Sequence, residues 1–196
     1  MKKILLLYLL LLVFLPVALF SQNCDLSSEQ QIAFQEANAS ISKVKYYRTN
    51  VACQELIENC EKALSWNAYC SQKELFTFYN EIVDAYNSLA NISKDAELYY
   101  LQQSINYCNR AINAITDTEG KEGFKRLLRE RQDTYNTRKR AKETTEREQK
   151  DDDDYWRATI ANTFERYVEY LISFPYGRHT SKVDDSLFVR AAAIAV

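Results

Sequence analysis

The sequence predicts an all-α protein of antiparallel helical hairpins, a solenoid or an irregular bundle of about seven helices. Three observations predict it. The chain of 196 residues holds only three glycines and two prolines, and a β-rich or α/β domain needs far more turn residues than that. Apolar residues recur at three- and four-residue spacing along nearly the whole chain, the period of a helix with one buried face. The few breaks carry helix-capping chemistry, not hairpin turns.

The elements follow in order. Lys2 and Lys3 precede an apolar run from Ile4 to Phe20, interrupted by Tyr8 and Pro16, and Ser21-Gln22 closes it. A basic start, an apolar core and a small exit residue predict a signal peptide over 1–21 and a periplasmic or secreted protein. An uncleaved anchor is the alternative reading of the same run. Ser21-Gln22-Asn23 stands where a lipoprotein carries its small-residue triplet before the cysteine, so Cys24 is not expected to be lipidated.

A first helix is predicted over about 28–48, with Ile32, Ala33, Ala37, Ile41 and Val44 on one face and Ser27 or Ser28 as its cap. Asn50 is expected to cap a second helix striped by Cys53, Leu56, Ile57, Cys60 and Leu64, which ends at Trp66-Asn67. A third runs over about 72–90 with Leu75, Phe78, Ile82, Val83, Tyr86 and Leu89. Asn91-Ile92-Ser93 breaks it, and Ser93 with Glu97 starts a fourth that extends to about 115. Residues 116–123, TDTEGKEG, read as a loop, with a fifth helix from about Phe124 that packs through Leu127, Leu128 and Tyr135.

The apolar stripe then stops. From 138 to 154, 13 of 17 residues are charged. The opposite charges at Lys139–Glu143, Lys142–Glu146, Glu143–Arg147 and Glu146–Lys150 stand four apart, and each such pair adds only about 0.2–0.5 kcal/mol to a helix. Their sum predicts a solvated helix. Asp151 to Asp154 read as the acidic start of a sixth helix, where the backbone dipole is positive. That helix is expected to pack with Trp156, Ile160, Phe164, Tyr167 and Leu171. Pro175 ends it, Gly177 is expected in a positive-φ turn, and Thr180 or Ser181 caps a seventh helix carrying Val183, Leu187, Ala191 and Ile194. The domain organisation that results is a leader (1–21), a four-helix region (22–116), a charged helix or linker (117–154) and a C-terminal helical hairpin (155–196).

Phe174-Pro175-Tyr176-Gly177, with an apolar residue eight after the proline at Val183, resembles the unit boundary of tetratricopeptide-type repeats in secreted bacterial proteins. Residues 79–103 are also similar to one such repeat. Tyr79, Ile82 and Tyr86 match the large positions of its first helix, and Ala96 and Tyr100 match the small and large positions of its second. Val83 replaces the helix-crossing glycine, and Gln103 and Tyr170 stand where small residues are usual. The resemblance covers about half of the chain after the leader. It implies a helical-repeat scaffold for protein–protein contact.

Five cysteines in an exported chain point to disulfides. With the first four helices running up and down, Cys24 and Cys70 share one end, and Cys60 and Cys108 stand at similar heights above it. The pairs expected are Cys24–Cys70 and Cys60–Cys108, with Cys53 free.

The chemistry-bearing residues are sparse. The only histidine, His179, follows a turn, and no GxSxG, HExxH or glycine-rich phosphate loop surrounds it. No CxxC pair is present. No catalytic residue, cofactor or metal site is assigned, and a hydrolase built on His179 is the least favoured reading. Fourteen tyrosines stand out instead, because tyrosine is large, stiff, amphipathic and enriched at binding surfaces. Tyr47, Tyr99, Tyr100, Tyr107, Tyr167 and Tyr170 are the candidates to line a groove. The partner expected is another envelope protein or a peptide, and the alternative is a glycan or small ligand held by the same rings. Between Lys121 and Lys142 nine basic residues face three acidic ones, which suits peripheral contact with anionic lipid. Without the two leader lysines the formal charge falls from -2 to -4, so nucleic acid is not an expected partner.

Overall fold

The computed structural model describes residues 25–194, with side chains through residue 189. The leader, Cys24 and the last two residues lie outside the described residues. The described chain is all-α: α1 (Ser28–Tyr46), α2 (Asn50–Ser65), α3 (Gln72–Ile92), α4 (Glu97–Ala114), α5 (Thr118–Ala161), α6 (Phe164–Ser173) and α7 (Thr180–Ile194). It divides into two compact units, with the boundary between Tyr135 and Asn136.

In the first unit α1 packs on α2, α2 on α3 and α3 on α4. Ser27 and Gln30 form a reciprocal capping box that starts α1. The buried stripe of α1 is mostly small, with Ala33, Ala37 and Ser40 beside Ile41 and Val44, which lets α2 approach closely. Antiparallel pairing is fixed by Lys62–Glu36 at 2.7 Å, by Asn59 Nδ2 donating to Ser40 Oγ at 2.7 Å and by the Lys43–Glu55 pair. The cap of α2 is Thr49, not the expected Asn50: its hydroxyl accepts from the Ala52 N–H. Asn67 takes the left-handed conformation that ends α2, at φ 52°. A second capping box, Ser71 with Glu74, starts α3. Ser93 makes no side-chain cap, and a short 3-10 turn at Lys94–Ala96 leads into α4 instead.

Residues expected as a loop before α5 form its first turns. Asp117 accepts from the Gly120 N–H at 2.7 Å and so caps the helix. Phe124 is buried against Phe76 and Tyr79, with ring centroids 5.0 and 6.5 Å apart. Arg131, 9% exposed, reaches Asp84 of α3 at 3.4 Å.

The largest departure from expectation is α5 itself, a single helix of 44 residues. The acidic run does not begin a new helix; Asp151 to Asp154 lie inside α5. No glycine or proline occurs between Gly123 and Pro175, so nothing in the backbone stops the helix. Every residue from 136 to 150 is exposed, and pairs such as Lys139–Glu143 and Lys142–Glu146, both 3.9 Å, support that stretch.

The break falls later, at Asn162, which adopts φ 51°. Thr163 then caps α6 by accepting from the Arg166 N–H. The second unit has its own small core of Ala158, Tyr167, Tyr170, Phe174 and Val183, flanked by Tyr155, Leu171 and Leu187. An uninterrupted sixth helix would have aligned Trp156, Ile160 and Phe164 with Tyr167. The turn at Asn162 changes the register, and those three side chains are exposed while Tyr155 and Ala158 face inward.

Candidate functional site

The structure sorts the candidate tyrosines into two groups. Within the first unit, Tyr99, Tyr100 and Tyr107 come together with Tyr86 in a seam of tilted and edge-on ring contacts between α3 and α4. Centroids step by 5.3 Å from Tyr99 to Tyr100, 6.4 Å to Tyr86 and 5.5 Å to Tyr107. The Arg110 guanidinium lies 4.3 Å over the Tyr107 ring and 3.9 Å from the Glu61 carboxylate of α2. The seam exists because Tyr100 and Tyr107 on α4 are seven residues apart, which is two helical turns and one face, so both rings meet Tyr86 of α3. Ser104 Oγ donates to the Val83 carbonyl at 3.2 Å and locks the register between the two helices.

Exposure grades along the seam. Tyr99 is 60% exposed, Tyr100 and Tyr86 are half-buried, and Tyr107 is buried. Burial, followed by the nearby Glu61 charge, pushes the Tyr86 phenol up to about 12. Burial likewise raises Tyr79, against an opposing contribution from Arg110. These phenols stay neutral at physiological pH and act as packing and hydrogen-bonding groups. The seam thus presents one open ring, Tyr99, braced by the rings behind it, with a half-exposed arginine at its other end. Tyr86 and Arg110 were not among the sequence candidates. The signal was the seven-residue spacing of Tyr100 and Tyr107, which puts both on the face that meets α3.

Tyr47 is exposed at the end of α1. Tyr107 is core-facing, and Tyr167 and Tyr170 are core residues of the second unit, 5% and 2% exposed. Tyr107, Tyr167 and Tyr170 are therefore corrected from groove-lining rings to buried ones. Tyrosine alternates between ladder and core according to which helix face it occupies.

In the second unit the turn after α6 is fastened to α5 by two carboxylates. Asp151, 4% exposed, accepts from the Tyr170 hydroxyl and, at 2.7 Å, from the Arg178 N–H. Burial and this contact push the Tyr170 phenol up to about 12. Asp152 binds the Arg178 guanidinium at 2.9 Å and His179 Nε2 at 2.7 Å, and the His179 hydrogen bond leads the causes that hold its carboxyl below the usual range. His179 stacks on Tyr155, with centroids 4.1 Å apart. Gly177 is not at positive φ, contrary to expectation. Its role is spatial: a Cβ there would stand 2.7 Å from both Asp151 Oδ1 and the Tyr170 hydroxyl. His179 thus joins this clasp, paired to the Asp152 carboxylate and stacked on Tyr155.

The cysteines need a second correction. Cys53, Cys60 and Cys108 are free and buried, so the expected Cys60–Cys108 bridge is not formed. The two thiols serve different contacts across α3: Glu81 influences Cys60, whereas Arg131 and Asp84 influence Cys108. Burial pushes both up to about 12, which makes them inert. Cys70 is not among the free thiols, and its expected partner Cys24 lies outside the described residues.

Of the basic stretch, Arg131 is buried on Asp84, while Lys125, Lys139 and Lys142 pair with Glu122, Glu143 and Glu146. Among the described residues no helix is long and apolar enough to cross a membrane, and no three His, Cys, Asp or Glu are grouped to hold a metal. Comparison with family models, with curated proteins and with solved structures gives no match.

Proposed function

We propose that this is an exported, non-enzymatic helical-repeat protein that mediates a protein–protein contact in the cell envelope through the Tyr99 end of its tyrosine seam. The observation that carries the reading is the graded seam itself. An exposed aromatic braced by buried aromatics loses little conformational entropy on binding, and Tyr with Arg is the composition of interface hot spots. One open ring braced from behind suits contact with a protein or peptide surface better than it suits enclosure of a glycan. A disulfide at Cys70, which we pair with Cys24, fits an oxidising compartment, and export is part of the same proposal.

The test is a crosslinking pull-down from envelope extract with wild type and Tyr99→Ala. Tyr99 is exposed at 60%, so its truncation leaves the fold intact by circular dichroism. A partner captured by wild type and lost with Tyr99→Ala supports the proposal. A partner captured equally by both, or none captured by folded protein, refutes the assignment to this seam.

A further inference from the structure

The sequence carries Trp156, Ile160, Phe164, Tyr167 and Leu171 at the spacing of one helix face, and the fold breaks the helix in their midst. In an unbroken helix the five fall within about 80° of arc. As folded, Tyr167 and Leu171 pack in the core of the second unit, while Trp156, Ile160 and Phe164 are exposed. The break itself is slight. Only Asn162 and Thr163 separate α5 from α6. Neither glycine nor proline stands near it, and the turn rests on Asn162 in the left-handed region at φ 51°. That region is unfavourable for any residue with a side chain, least so for asparagine.

What fastens α6 and α7 to α5 lies wholly across this turn. Asp151 accepts from the Tyr170 hydroxyl and the Arg178 N–H, Asp152 holds the Arg178 guanidinium and His179, and Tyr155 stacks on His179. Each contact joins a residue before Asn162 to one after it. The same contacts therefore form equally well with the α6–α7 hairpin of a second copy.

The helix lengths favour the straightened form. Thr180 Oγ1 donates to the Phe174 carbonyl at 2.9 Å, so the hairpin begins level. With 15 residues in α7 against 10 in α6, α7 runs about 7 Å past the start of α6. Val189 already stands beside Asn162 and Tyr167, lining one hollow with them. In a straightened helix Ile160 lies about 6 Å before Phe164, on the same face as Tyr167 and Leu171 and alongside the overhanging end of α7. Straightening thus gives Ile160 a neighbour that the folded-back turn denies it.

We propose that the protein dimerises by exchanging its α6–α7 hairpin with a second copy. The turn at Asn162–Thr163 becomes helix, α5 and α6 run on as one, and each copy's hairpin closes the clasp of the other. A second copy is the partner because it carries the residues that Asp151, Asp152 and Tyr155 receive, namely Tyr170, Arg178 and His179. The exchange involves the second unit alone and does not rest on the contact proposed for Tyr99.

The experiment measures the mass of the protein by light scattering after size exclusion, over a wide range of concentration, for wild type, Asn162→Ala and Asn162→Gly. Asn162 is exposed, and circular dichroism confirms that each variant is folded. Alanine disfavours the left-handed turn and favours helix, and is expected to tighten the dimer about 30-fold over its two hinges. Glycine frees the turn and weakens the helix, and is expected to loosen the dimer about tenfold. Opposite shifts from the two substitutions support the exchange, and either variant alone keeps the test decisive should the other fail to fold. A dimer that neither substitution moves, or that both move the same way, is a surface contact and overturns the proposal. Wild type and Asn162→Ala that stay monomeric at every concentration overturn it as well.

Discussion

Gly177→Ala is the substitution on which the structure makes its sharpest statement. The backbone there is not in the left-handed region, so alanine introduces no conformational strain. The cost comes from space. The new Cβ would lie 2.7 Å from Asp151 Oδ1, 2.7 Å from the Tyr170 hydroxyl and 2.9 Å from Asp151 Oδ2. All three are closer than van der Waals contact, so the carboxylate must move. Asp151 is 4% exposed and holds the Tyr170 hydroxyl and the Arg178 N–H. A hydrogen bond to a charged group contributes about 1.5–3 kcal/mol, and leaving the charge buried adds to its loss. Losing one of these contacts, with the added cost of the buried charge, costs the second unit about 2–4 kcal/mol. Native-state hydrogen exchange reads this directly. The Phe174 amide, bonded to the Tyr170 carbonyl at 2.8 Å, and the Val183 amide, bonded to the His179 carbonyl at 3.1 Å, should exchange about 30- to 1,000-fold faster. In an Asp151→Ala background, where the space exists, the same substitution should lose more than half of its effect. Exchange within about threefold of wild type would falsify the clasp, as would an undiminished penalty in the Asp151→Ala background.

Three further predictions concern the first unit. Cys53, Cys60 and Cys108 should resist iodoacetamide at pH 8 in the native protein and react once it is unfolded, as counted by mass spectrometry. Because burial raises Cys60 and Cys108 to about 12 and unfolded thiols titrate near about 8.5, the native state holds extra protons between those values. Their contribution to stability is complete below about pH 8.5 and is lost as the pH rises toward about 12, which urea titrations at pH 7.5 and 10 would register as a lower midpoint at pH 10. Gly123→Ala should stabilise by about 0.5–1 kcal/mol through helix propensity, whereas Gly120→Ala should not, because its Cβ meets Ile115 at 3.1 Å; equal effects in the same urea titrations would contradict the packing.

The sequence by itself determined the fold class and most of the helices. Scarce glycine and proline, and long runs of period-3.6 apolar residues, leave a helix as the structure that satisfies the backbone and buries one face. The apolar stripe of α1, the serine cap before it and the stop at Pro175 were legible because they are local chemistry. The 44-residue length of α5 was legible in part: the charge pairs were visible, but the acidic run carried an equally local signal for a helix start. Only tertiary packing decided between them, because Asp151 and Asp152 find their partners at Tyr170, Arg178 and His179, 19 to 27 residues away. The same reason governs the tyrosines and cysteines. Residue type made Tyr107 and Tyr170 candidates for a surface, and burial made them core. Equal height along neighbouring helices suggested a Cys60–Cys108 bridge, but height does not determine which way a side chain turns around the helix axis. That angle is set by how three helices pack together, and packing is a property of contacts between segments that no single segment encodes.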